Sequence, residues 1–326
     1  TAWDPKAPAS IHRARAALDA NGKVTGYEFI SRAFSRATID SNESDPRDSL
    51  VGMELGLAPK AGVGFGTPSE SYGFEGKLLG WEVIPDLIAS ASPMRTSHLR
   101  DPVGLQIQFA SEQFMDELAY AAGADAAEFR LRHLQDARGK EVLGAALKAA
   151  QWQTRPSAQV KSKARLVRGR GIAYVRYNNA ITYVTTVAEV EVDRKTGQVK
   201  VLRLVVAHDC GQMINPDGVL NQIQGGAIQT VSRTLMEDVR WSGSRIESVD
   251  WGSYPILRFG DIPKVEAVLI DRPGLPSWGA GEQTPTTIPA AIANAIFDAT
   301  GARVRQIPFT PSRVLAALQA AGNAVA

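Results

Sequence analysis

The chain has 326 residues, room for about two domains, and 44% of them are apolar, enough for packed cores, so disorder as the main state is excluded. Its 36 Lys and Arg nearly balance 34 Asp and Glu, and the resulting +2 is spread along the chain, which argues against nucleic acid as a partner. The single cysteine, Cys210, excludes an internal disulfide, the thiolate set of an iron–sulfur cluster and a structural zinc site, so redox chemistry must rest on a cofactor held by other groups.

Residues 11–18 and 24–36 read as two strands joined by Asp19-Ala-Asn-Gly22, whose Asn-Gly step suits a tight hairpin turn. From Asp40 to Tyr72 the composition shifts to Ser, Asp, Pro and Gly, and a long loop is expected; Gly62 to Gly66 lacks the Lys-Ser/Thr of a phosphate loop. Pro102 is expected to open a long amphipathic helix ending at Gly123, because Ile107, Phe109, Phe114, Met115 and Leu118 recur at helical spacing. Asp125 to Glu128 has the form of a capping box for a second helix through Leu134, and a third runs from 140 to 150. Residues 154–170, basic and proline-containing, read as a linker with a solvated charged face. It divides a first portion, 1–153, from a second, 171–326. Strands are expected at 171–177, 183–193, 199–208 and 265–270, and helices at 216–237 and 286–300, the last closed by Gly301. Strand pairs alternating with helices argue an α+β fold of layered hairpins and helices.

His12, His98, His133 and His208 are isolated from one another and form no metal-ligand spacing, so structural or surface roles are expected. Ser232 and Ser253 lack a nucleophile elbow, and Asp4-Pro5 with Pro8 breaks the strand that a catalytic Thr1 would require. Two segments remain. In Ser277-Trp-Gly-Ala-Gly-Glu282, three small residues permit close backbone approach and one carboxylate follows at the mouth of a helix; a tight turn with a dipole-stabilised glutamate is the plainer reading. Ala207 to Pro216, followed by the glutamine-lined helix Asn221-Gln222-Ile-Gln-Gly-Gly226-Ala-Ile-Gln229, can present amide groups to a ligand or serve helix packing. No apolar run approaches about 18 residues and no charged-then-apolar leader is seen, so neither a membrane span nor an export signal of the chain's own is expected. The opening Thr1-Ala-Trp-Asp-Pro5 reads as the middle of something larger.

Together these segments resemble the molybdenum-binding subunit of the xanthine dehydrogenase/aldehyde oxidase family. Four pieces occur in family order: Met94 to Arg100 with Phe109 to Ala119; Val187 to Asp193 with Asp209-Cys-Gly; Asn215-Pro through Gln222-Ile-Gln-Gly-Gly; and Gly279-Ala-Gly-Glu282 with Ala293 to Gly301. The likeness covers most of residues 11–318 and is weakest over 40–81. It implies a molybdopterin-binding fold that is incomplete without an amino-terminal half. It further implies hydroxylation of an aldehyde or N-heteroaromatic substrate with water as oxygen source. In that reading Glu282 is the base that takes the proton from the molybdenum-bound hydroxide, Gln222 hydrogen-bonds the oxo ligand, the Arg100 backbone approaches the cofactor, and Gly281 gives close approach beside Glu282.

The chain also departs from flavin-linked members. Pro102 stands where they carry an aromatic substrate clamp, which argues against a purine sandwich, and their Met-Gly-Gln-Gly motif is absent between Arg100 and Gln222. This arrangement resembles the isoquinoline oxidoreductase and nicotinate dehydrogenase branch, in which the motif lies near the start of the large subunit. The resemblance therefore implies molybdopterin in its cytosine dinucleotide form, with 2Fe-2S clusters and FAD or haem on partner subunits. The expected partners are the amino-terminal half of the molybdenum subunit, a 2Fe-2S subunit and a cytochrome c or flavin subunit. A periplasmic or membrane-associated exported complex is expected, with the cytoplasm as the other compartment. The alternative is a non-catalytic scaffold subunit, in which Glu282 is a helix-end residue.

Overall fold

The computed structural model describes residues 5–37, 46–48, 51–52, 55–57, 63–66, 71–85, 87, 94–158, 160, 164–177 and 181–324. Much of the expected 40–72 loop, including Gly62, and Thr1 lie outside them. A first sheet has the order β1 (Ser10–Leu18), β2 (Val24–Ala33), β3 (Lys77–Val83), with β1 antiparallel and β3 parallel to β2. The β1–β2 turn forms as the sequence predicts: Gly22 adopts φ 72°, and the Asp19 carboxylate accepts the Asn21 and Lys23 amides. β3 was not foreseen; its mixed burial leaves little period-2 signal. Alternate residues of β2, Tyr27 and Phe29 among them, point into a core shared with three helices, α1 (Gly104–Ala121), α2 (Ala126–His133) and α3 (Ala137–Ala149).

Pro102 does not open α1. Asp101 and Val103 flank it in left-handed backbone, φ 61° and 62°, and the helix starts at Gly104. Such a conformation is costly for a β-branched residue, so tertiary contacts must hold this turn. α2 is capped as expected, the Asp125 carboxylate accepting the Ala127 and Glu128 amides, and Asp136 caps α3. On the inner face of α1, the Glu112 carboxylate accepts bonds from the Tyr72 hydroxyl (2.7 Å), the Arg130 Nε (2.9 Å) and the Tyr174 amide (2.8 Å). Arg130 is wholly buried and also donates to the carbonyls of Ala126 and Glu112, so the charge pair is desolvated yet saturated with partners.

The second sheet has the order β4 (Leu166–Tyr177), β5 (Thr182–Asp193), β6 (Val199–Asp209), β9 (Lys264–Leu269), antiparallel except for the parallel β6–β9 pair. Short strands β7 (Trp241–Ser242) and β8 (Arg245–Ile246) pair in a loop that follows α4 (Pro216–Leu235). Two further helices, α5 (Gln283–Thr300) and α6 (Pro311–Ala320), complete the chain; α6 was not expected. β4 begins at Leu166 and takes the last five residues of the segment read as a linker. The arginines there present a solvated face, as expected, and also find partners: the exposed Arg168 bonds Glu191 on β5, and Arg170 stacks on the Trp152 ring. Cross-strand partners of this kind leave no trace in local composition.

Both faces of the second sheet are covered. Ile172, Tyr174, Tyr183 and Val205 face α1 to α3, while Ala173, Val175, Val184 and Val206 face α4 to α6. The chain is thus α+β, as read from its sequence. Every residue of α5 is buried, and the helix lies directly on β4. Two glycines allow that approach. A Cβ on Gly171 would lie 2.2 Å from the Ala295 nitrogen, and one on Gly169 would lie 2.4 Å from the Ala295 carbonyl oxygen. Gly171→Ala is expected to cost about 3 kcal/mol or more, since backbone cannot yield as a side chain can. Gly144→Ala on α3, with open space around it, should stabilise by about 0.5–1 kcal/mol. Thermal unfolding of the two variants checks the contrast.

Candidate functional site

The site is built where β6, the loop before α5 and the turn before α1 meet. At the end of β6 the buried Asp209 carboxylate receives Arg138 through Nε (2.8 Å) and Nη2 (2.5 Å), Arg272 through Nε (2.9 Å) and the Gly211 amide (3.0 Å). Burial would raise its pKa; the bonds from Arg138, Gly211 and Arg272 outweigh it and hold the carboxyl below its ordinary value. Gly211, at φ 79°, brings residues 276–278 against this anchor, because a Cβ there would lie 2.0 Å from the Pro276 carbonyl oxygen. The Trp278 amide then donates to the Cys210 carbonyl (3.0 Å), and the Thr182 hydroxyl to that of Gly279 (3.3 Å). The loop carrying Gly281 and Glu282 is therefore tied to β5 and β6 on its way to α5.

Glu282 takes the N-cap position of α5, yet its carboxylate makes no capping bond. Instead Oε2 accepts the Tyr177 hydroxyl (2.8 Å) and Oε1 accepts the Asp101 amide (3.3 Å). The helix-end reading of Glu282 accounts for its position but not for these partners. Arg100 supplies the other half of the assembly: its Nε donates to the Gly281 carbonyl (2.5 Å), Nη2 to the Gln222 Oε1 (2.9 Å) and Nη1 to the Gln229 Oε1 (3.1 Å). The Arg100 carbonyl accepts Nη1 of Arg233 on α4 (3.1 Å).

The structure thus brings together Arg100, Gln222, Gly281 and Glu282, the four residues singled out from sequence. It adds a part for the Arg100 side chain. The expectation concerned its backbone; the guanidinium is what joins Gly281 to Gln222. Tyr177, Asp101 and Arg233 were not foreseen. Gln229, one helical face along from Gln222 and seven residues on, belongs to the glutamine-lined helix read from sequence, where it gives a readable signal. A tyrosine ending a strand or an aspartate before a proline has none.

Asp101 is fully buried, and its oxygens make no well-formed hydrogen bond. Burial pushes its pKa up to about 7; the charge of Glu282 acts in the same direction, while Thr286, Arg233 and Arg100 oppose it. His208 and His12 are held neutral by burial, each with a pKa lowered to about 4, and His133 bridges the Val24 amide and the Phe129 carbonyl. These three histidines serve the fold. A groove of about 1680 Å³ runs from Arg100, Gln229 and Arg233 along the start of β1 to Arg305 and Arg313; it shares Arg100 with the site, while Gln222, Gly281 and Glu282 stand outside its wall.

A family profile described as "Molybdopterin cofactor-binding domain" matches residues 96–263, just over half of the chain. The chain belongs to the molybdopterin cofactor-binding domain family. That match contains Arg100 and Gln222 and ends before Gly281 and Glu282. Among similar proteins is a nicotinate dehydrogenase subunit of Pseudomonas putida, 38% identical over 98% of this chain and 27% of its own length. Another is the beta subunit of isoquinoline 1-oxidoreductase from Brevundimonas diminuta, 31% identical over 73% of this chain and 30% of its own. The chain therefore spans less than a third of either relative. In fold it is similar to aldehyde oxidoreductase from Desulfovibrio gigas, with TM-score 0.71, 17% identity, and coverage of 97% of this chain and 50% of that one. It is also similar to quinoline 2-oxidoreductase from Pseudomonas putida 86, with TM-score 0.75, 14% identity, and coverage of 95% and 62%.

The residues suit such a cofactor. With Oε1 of Gln222 taken by Arg100, the carboxamide nitrogen of this exposed side chain is left as a donor. Beside it, Gly279 has open space where a Cβ would be, and a Cβ on Gly281 would meet only the Gln222 Oε1, at 3.7 Å. Hydrogen-bond donors, a fixed carboxylate and open glycine faces match a metal already held by its own organic ligand.

The buried Asp101 of this molybdopterin-binding domain has a measurable consequence. Between its ordinary pKa of 3.8 and about 7 the folded chain keeps a proton that the unfolded chain releases, so stability falls as pH rises through this window. The span corresponds to roughly 4 kcal/mol. Asp101→Asn keeps the amide bond to Glu282 and should be more stable than the parent at pH 8, with the gain vanishing near pH 4; denaturant unfolding across pH checks this.

Proposed function

We propose that the chain supplies the base and part of the cofactor contact of a molybdenum hydroxylase that oxidises an aldehyde or N-heteroaromatic substrate with water as oxygen source. The observation that carries this reading is the Glu282 carboxylate, fixed by Tyr177 and Asp101 beside the Arg100-bridged pair of Gln222 and Gly281. When bound, molybdopterin supplies the two-electron redox chemistry and the oxygen transfer. The protein's own contribution is proton and hydrogen-bond chemistry. Glu282 accepts a proton at a carboxylate oxygen, and its enclosure between α5 and β4 keeps that oxygen in one place. The Gln222 amide donates toward developing negative charge, while Arg100 holds it and prevents the side chain from swinging away. Gly279 and Gly281 admit the cofactor closely enough for both groups to act.

The cytosine dinucleotide form of the cofactor, 2Fe-2S clusters with FAD or haem on other subunits, an amino-terminal half of the molybdenum subunit, and a periplasmic or membrane-associated complex belong to the same proposal. Similarity to subunits named nicotinate dehydrogenase and isoquinoline 1-oxidoreductase supports the part of it that places this chain among other subunits.

The test uses the complete complex that carries this chain. Metal analysis should find stoichiometric molybdenum, which a scaffold subunit gives no reason to expect. In Glu282→Gln with full molybdenum content, anaerobic reduction by substrate should slow by roughly 10²- to 10⁴-fold with substrate binding retained. Near-parental reduction would reject the base assignment. Gln222→Ala should slow the same step by the equivalent of about 2–4 kcal/mol, as loss of a preorganised donor does, without unfolding the chain.

A further inference from the structure

We propose that Tyr177 is a positioning residue for the base: its hydroxyl selects the orientation in which Glu282 works. The inference rests on the reading of Glu282 as the base and goes one residue beyond it.

The geometry makes the two partners of Glu282 unequal. The Tyr177 O–H donates to Oε2 at 2.8 Å, whereas the Asp101 N–H reaches Oε1 at 3.3 Å, beyond the usual range for an N–H donor. A glutamate that does not cap its own helix has three side-chain torsions to fix, and the phenol is the stronger restraint on them. Tyr177 is itself well held. It is the last residue of β4, paired in register with Thr182 of β5, and its carbonyl accepts the Ile181 amide at 3.2 Å. The ring therefore presents its hydroxyl from the sheet, while Glu282 approaches from the helix packed on that sheet.

The direction of the bond follows from the phenol's own ionisation. Burial, then the bond to Glu282, drives the Tyr177 hydroxyl far above the usual phenol range, so it keeps its proton and donates throughout the working pH range. The other charged groups around the pair are Asp101 and Arg100 before α1, Arg233 on α4 and Arg36 after β2. With Oε2 engaged by the phenol and Oε1 only weakly engaged by the amide, Oε1 is the oxygen with capacity to accept a proton. Tyr177 thus acts through Glu282 and needs no contact with substrate.

The experiment compares Tyr177→Phe, Glu282→Gln and the parent in the complete complex, each with molybdenum content and thermal midpoint matched to the parent. Tyr177→Phe keeps the ring and loses only the O–H. It should lower kcat by about 10- to 100-fold, as loss of a partner that orients a functional side chain typically does, with KM within about threefold. The readout independent of turnover is infrared: the carboxylate band absent from Glu282→Gln identifies Glu282, and in the resting Tyr177→Phe complex that band should shift. An inactive Glu282→Gln beside a Tyr177→Phe of parental kcat and band would overturn this inference and leave the base in place. A fall in kcat with the band unchanged would overturn it as well, because ring packing alone would then explain the loss. Near-parental activity of Glu282→Gln would overturn the base reading and this inference with it.

Discussion

The close approach of α5 to β4 is the constraint on which the site depends. A helix in which all eighteen residues are buried has no solvent-exposed face along which to shift, so backbone-to-backbone distance sets its height above the sheet. Gly169 and Gly171 remove the side chains that would hold the two elements apart, and the Ala-rich middle of α5 does the same from the other side. The Asn294 side chain fixes the remaining freedom by donating to the carbonyls of Glu112 and Ile172, which locks helix, strand and α1 in one register. Glu282 begins this helix and Tyr177 ends this strand. The bond between them spans the same pair of elements that the glycines bring together, so precision at the site follows from packing well away from it.

The second support is electrostatic. Asp209 collects two guanidinium groups and a backbone amide at the end of β6, and Arg138 also lies over the rings of Tyr183 and Trp278. A buried carboxylate with this many partners is rigid, because releasing any one leaves a charge in a poor solvent for it. The loop over 276–282 inherits that rigidity. Glu112 and Arg130 play the equivalent part on the other face of the sheet, where they join α1, α2 and β4.

Where structure is decided within a few residues, it was legible. The Asn-Gly turn, the Asp125 cap and the Gly301 terminus each follow from one local preference, and each forms as read. Even α5 was visible from Thr286 onward, its first turn being obscured by Pro285, which a helix tolerates near its start. Features made by distant partners were not legible. The partners of Arg168 and Arg170 emerge only when β5 and Trp152 are placed beside them, and Pro102 looks like a helix start until tertiary contacts hold its neighbours in left-handed backbone. For the site, Glu282, Gln222, Gly281 and Arg100 stood out through the company they keep in sequence. Tyr177 and Asp101 acquire meaning only from a contact across roughly a hundred residues or more.

One guanidinium joins segments that lie 181 residues apart in the chain, bonding the Gly281 carbonyl and the side chains of Gln222 and Gln229 at once. Those segments are therefore not free to drift independently through evolution. A substitution on the amide-bearing face of α4 alters the competition for the Arg100 hydrogens and is felt at the glycine loop, and the reverse holds as well. Lineages that change one must adjust the other, or exchange both together. For anyone recombining related chains, a crossover between residues 100 and 281 separates parts that share a single cation, however well the two parental folds superpose.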